Sequence, residues 1–135
     1  MSITHYVVNR SELLKKLKEA LSRDSRVLIA VAYGSILRSS VVRDVDLGVV
    51  TSPPLTLKDL LILSARLELL VGVPIDIVPI CGVSPKLQYK ILAYGEPLVV
   101  KDPNLFNRLL TAALGKVQDT ELKTKYLPSP TPASK

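Results

Sequence analysis

Three aspartates and a glycine–serine pair hold the chemistry available to this sequence. Asp44 and Asp46 bracket a single valine, and Asp76 interrupts a second apolar run, Val73-Pro74-Ile75-Asp76-Ile77-Val78. Acids inside or at the mouth of hydrophobic strands are costly unless something pairs with them. Alternate residues on one strand face have Cα atoms about 6.5 Å apart, so Asp44 and Asp46 repel and call for a counter-charge. Arg43 points to the opposite face by strand parity. A divalent cation resolves the conflict, because Mg2+ takes oxygens from one or two carboxylates and completes its shell with phosphate and water. Asp76, on a neighbouring strand, can reach the same space. Three carboxylates suffice for a pair of ions about 3.5–4 Å apart, the arrangement used for in-line attack at phosphorus.

The phosphate side of such a site is Gly34-Ser35, which ends the apolar run Val27–Tyr33. Gly34 permits torsions closed to other residues and leaves no side chain in a ligand's way. Ser35 adds a hydroxyl and opens a helical turn whose free N–H groups favour phosphate. Arg38 can add a forked cation to the same oxygens. No Gly-Lys-Ser/Thr follows, so this is not a Walker loop, and without a Gly-x before Gly34-Ser35 or a histidine partner it is no nucleophile elbow. Alone, a Gly-Ser is an ordinary turn, Asp-x-Asp a solvated strand end, and Asp76 a cap or an ion-pair partner. Together they point to chemistry.

The elements that must position these residues follow from pattern. Ser11 reads as the N-cap of a helix with Leu13, Leu14, Leu17 and Leu21 on one face. Val27–Tyr33 is a strand apolar on both sides, hence interior. Residues 44–50 alternate, with Asp44, Asp46 and Gly48 on an open face and Val45, Leu47 and Val49 buried. A helix starts at Thr56 and closes at Gly72, with an apolar arc wider than one sheet contact needs. A third strand spans 74–80. Ser84 caps and Pro85 opens a helix that stops at Gly95, a strand covers 96–101, and Asp102-Pro103 begins the last helix, which runs to about Leu114 or Leu122. The link between the first two strands is too short for a helical crossover, so they pair antiparallel. The class is α+β: a mixed sheet with helices packed mainly on one face.

The 135 residues fit one domain, 1–127, with a Pro/Ser/Thr-rich disordered tail at 128–135. A single cysteine, Cys81, excludes a disulfide framework, and a single histidine, His5, leaves little for histidine-based metal or triad chemistry. Without a long apolar run or a signal-like start the chain reads as cytoplasmic, with no membrane. The net charge of +6 is scattered, and one Phe with no Trp supplies few stacking platforms, which disfavours nucleic acid.

Gly34-Ser35, Asp44-Val45-Asp46-Leu47 and Asp76, with Tyr89-Lys90-Ile91-Leu92 to Gly95-Glu96-Pro97-Leu98-Val99, resemble the nucleotidyltransferase superfamily of DNA polymerase beta, specifically its minimal nucleotidyltransferase (MntA-like) branch. The resemblance implies a two-layer nucleotidyltransferase fold and a magnesium-dependent enzyme with ATP as substrate. Asp44 and Asp46 would hold the metal, Asp76 would complete the site and help deprotonate the attacking hydroxyl, and Gly34, Ser35 and Arg38 would hold the triphosphate. Two departures fall in that loop: the spacing from Gly-Ser to Asp44 is shorter than the commonest form, and Ser39 stands where a second glycine is frequent. Relatives of this size are similar to antitoxins of toxin–antitoxin pairs, which bind a helical HEPN protein and transfer AMP to its tyrosine. Such a partner, or a second copy, would cover the apolar helix at 56–71. The alternative is a catalytically weak subunit that neutralises a partner by binding alone.

Overall fold

The computed structural model describes residues 4–126, with side chains to residue 119; the tail expected from 128 lies outside them. Strands β1 (Tyr6–Val7), β2 (Val27–Tyr33), β3 (Val41–Val42), β4 (Val45–Thr51), β5 (Ile75–Pro79) and β6 (Glu96–Val100) alternate with helices α1 (Arg10–Arg23), α2 (Leu57–Val71), α3 (Pro85–Tyr94) and α4 (Pro103–Tyr126). The main sheet has the order β5-β4-β2-β6. β2 is antiparallel to β4 and to β6, whereas β4 and β5 run parallel. The sheet is mixed and the class α+β, and the short link between β2 and β4 gives the expected antiparallel pair.

Helices pack against both faces of the sheet. β2 explains why. Ala30 and Ala32 join Leu13, Leu17 and Leu21 of α1 and Leu60, Leu63 and Leu67 of α2 in one core. Ile29 and Val31, of opposite parity, join Ile80, Ile91 and Leu92 in a second, against which Leu105, Phe106, Leu109 and Leu110 of α4 pack. A strand apolar at every position needs cover on both sides. The face of β4 expected to be open is likewise covered beyond Asp46. A Cβ at Gly48 would stand 2.9 Å from Ile80 Cγ1 and 3.1 Å from Ile91 Cγ2, so glycine lets that layer close onto the sheet.

Local signals set most ends. Thr56 and Asp59 form a reciprocal capping box on α2, with N–H to oxygen distances of 3.1 and 3.2 Å. Gly72 ends α2 with φ +74°, the left-handed conformation that glycine adopts without penalty. Ser84 caps α3 and Asp102 Oδ1 accepts from Leu105 N–H at the start of α4. α1 differs: its N-cap is Asn9, whose Oδ1 accepts from Glu12 N–H at 3.1 Å, and Ser11 lies inside the helix. Asparagine caps as well as serine, and the earlier start puts Glu12 in the first turn, where the helix dipole favours an acid. The segment before α1, which shows no period, supplies β1; it pairs antiparallel with β3 and ties the N-terminus to the loop after Gly34. Among the described residues no helix is long and apolar enough to cross a membrane.

Candidate active site

The acids lie at one end of the sheet. Asp46 and Asp76 are register partners on the parallel strands β4 and β5, so their side chains leave the same face one strand apart. Val45 N–H donates to Pro74 C=O at 2.9 Å and pins the two strand starts together. Asp44 precedes β4, outside the strand expected to contain it, yet its charge acts on Asp46. Asp46 is half-buried; burial foremost, then the charges of Asp44 and Asp76, push its carboxyl up to about 6. No hydrogen bond or ion pair to these three carboxylates occurs among the described residues; the ion pairs there are Lys16–Glu12 and Arg26–Asp24.

The turn is bound to the acids through backbone geometry. Gly34 opens a four-residue 3-10 turn, Gly34–Leu37, with φ +82°. Asp46 Oδ2 lies 2.6 Å from where a Cβ on Gly34 would stand. Only a residue without a side chain allows that approach. Ser35 C=O accepts from the N–H groups of Arg38 and Ser39, both at 2.9 Å. Ser39 Oγ donates to Val41 C=O and accepts from Val41 N–H, both at 3.0 Å, closing the short loop without a second glycine. Arg38 is exposed just past the turn.

Sequence reasoning missed two parts of this site. Tyr33 pairs with Asp46 across β2 and β4, so Tyr33, Asp46 and Asp76 form one row over three strands. Its ring packs on the Ile29–Val31 core while its phenol is pushed up to about 12, by burial first and then by Asp46, Asp76 and Asp44. No local pattern marks it, because the register of β2 against β4 sets the pairing. Ser64 and Glu68 of α2 reach the other side of β5: Ser64 Oγ donates to Ile75 C=O, and Glu68 Oε2 accepts from Ile75 N–H at 3.0 Å. Nothing in the helical pattern marks those two.

The donor set is carboxylate oxygen, suited to a hard divalent ion. Among the described residues no group of three His, Cys, Asp or Glu closes on a common point to cage a metal. The arrangement fits an ion that takes one or two carboxylates and completes its shell from phosphate and water.

The polymerase beta nucleotidyltransferase family model matches residues 15–104, which include both strands of acids and the turn. The chain belongs to this nucleotidyltransferase family. Solved structures agree on the fold. A toxin–antitoxin complex, MntA–HepT, is 16% identical with a TM-score of 0.64, over 84% of this chain and 91% of that one. The MNT antitoxin complex with a tri-AMPylated HEPN toxin of Shewanella oneidensis is 17% identical with a TM-score of 0.68, over 87% and 92%. A toxin–antitoxin structure with AMP-PNP is 17% identical with a TM-score of 0.64, over 87% and 92%. At such identities the shared property is the fold. No curated protein matches the chain by sequence.

Proposed function

We propose that this nucleotidyltransferase transfers AMP from Mg-ATP to a hydroxyl, a tyrosine of a helical HEPN-type partner, and so acts as the antitoxin of a toxin–antitoxin pair. The observation that carries the reading is the half-buried Asp46 with no ion-pair partner among the described residues, under the charges of Asp44 and Asp76 and against Gly34. Asp44, Asp46 and Asp76 would hold Mg2+, one ion or two, which when bound neutralises charge on the phosphates. Gly34, Ser35 and Arg38 hold the triphosphate. Asp76, the exposed member of the row, takes the proton of the acceptor hydroxyl as its oxygen bonds to the α-phosphorus. The bond from that phosphorus to the β-phosphate bridge breaks, and pyrophosphate leaves.

The partner's seat is α2. Leu57, Leu61 and Leu69 are 73%, 62% and 88% exposed, and Ile62 and Leu70 lie beside them. Such a stripe on a helix suits another helix. Family membership and the antitoxin complexes of the same fold support the reading. The test is to purify the protein with its genomic neighbour and supply Mg2+ with ATP labelled at the α-phosphate. Label and AMP-sized mass gains on the partner are expected, and both vanish in Asp46→Asn. A partner that never gains mass overturns transfer and leaves binding alone.

A further inference from the structure

Asp76 stands on an edge strand. β5 has one ladder neighbour, β4, and the Asp76 side chain makes no hydrogen bond of its own among the described residues. Its position is therefore set by the backbone on either side of it. The outward peptide groups of Ile75, the residue just before it, face away from β4, and α2 engages both. Ser64 Oγ gives its proton to the Ile75 carbonyl. Glu68 Oε2 takes the Ile75 N–H at 3.0 Å and lies 3.4 Å from Ser64 Oγ. Two side chains one helical turn apart thus stand in for the missing strand. Glu68 is half-buried and pairs with no cation among the described residues, so its charge-assisted bond goes to a single peptide N–H.

We infer that Ser64 and Glu68 are positioning residues for the transfer reaction: their two-point hold on Ile75 fixes where the Asp76 carboxylate stands relative to Asp46. This rests on the proposed role of Asp76 as the group that takes the acceptor's proton. On the opposite side of Ile75, Val45 and Pro74 join β4 to β5. The start of β5 is thereby held from both edges, and removing the α2 side leaves the strand free to shift by fractions of an ångström. Misplacement on that scale lowers turnover while leaving phosphate binding, which depends on Gly34 and Ser35, in place.

The test compares Ser64→Ala, Glu68→Ala and Glu68→Gln in the complex with the co-purified partner, reading kcat and the KM for ATP of AMP transfer. In Ser64→Ala and Glu68→Ala, kcat is expected to fall about tenfold with KM within about twofold, the signature of a lost transition-state contribution. Glu68→Gln keeps an oxygen that accepts the Ile75 N–H and retains most of the wild-type kcat. A fall in melting temperature with kcat per folded molecule unchanged overturns the inference, as does a Glu68→Gln as slow as Glu68→Ala. If Asp76→Asn turns over as fast as wild type, the proposed role of Asp76 fails and the inference falls with it. If Asp76→Asn is slow and Glu68→Ala is not, the positioning role alone fails.

Discussion

Asp46 Oδ2 occupies the space that a side chain on Gly34 would need, 2.6 Å from the place of its Cβ. The turn proposed for phosphate and the carboxylate proposed for metal thus share one contact. Gly34 also sits at φ +82°, so Gly34→Ala adds backbone strain of roughly 1–2 kcal/mol to the collision. The displaced Asp46 should lower Mg-ATP affinity at least about tenfold, equivalent to 1.4 kcal/mol. Calorimetry with Mg-ATP on the folded variant checks this.

Asp46 makes stability depend on pH in a particular direction. Its folded value, about 6, lies above the ordinary 3.8, so the protonated form is favoured in the native state. That stabilisation is fully present below the ordinary value and is lost as pH rises through about 6. Without divalent cation, the melting temperature should fall between pH 4 and pH 7. Asp46→Asn should flatten the slope and melt higher than wild type at pH 7, while losing transfer. Thermal melts across that range decide it.

Tyr33 faces Asp46 across the strand pair, yet it is a poor acceptor. Burial and three carboxylates hold its phenol protonated up to about 12. Peptide mapping after incubation with Mg-ATP should find no AMP on Tyr33, and Tyr33→Phe should leave the AMP carried by the partner unchanged.

The exposed stripe of α2, the proposed seat of the partner, allows binding to be tested apart from chemistry. Leu61 and Leu69 project to solvent, and the acid row leaves the opposite face of the sheet. Leu61→Asp with Leu69→Asp should weaken the partner complex about 100-fold, the scale of losing interface anchors. Mg-ATP binding by the free chain should persist. Co-purification and calorimetry on the same variant separate the two.

Much of this molecule is legible in the order of its residues. The bounds of β2, the caps of α2 and α3 and the stop at Gly72 are written locally, in side chains that satisfy the nearest peptide groups. The acids stand out because carboxylates in apolar strands have no local reason to be there. Parity within β4 separates Asp46 from its apolar neighbours before any fold is known, and the short link from β2 to β4 dictates an antiparallel pair.

Relations between elements are decided only in three dimensions. Which face each helix covers depends on how Ile29 and Val31 are buried against α3 and α4. The ladder between β1 and β3 joins residues too far apart for any local pattern to reveal. The row Tyr33–Asp46–Asp76 arises from the register of three strands, and Ser64 and Glu68 reach the Ile75 backbone because α2 lies along the free edge of β5. Sequence determines which groups can do chemistry, since charge and size belong to each residue. Distance and direction between those groups belong to the packed chain, because backbone hydrogen bonds across strands set them.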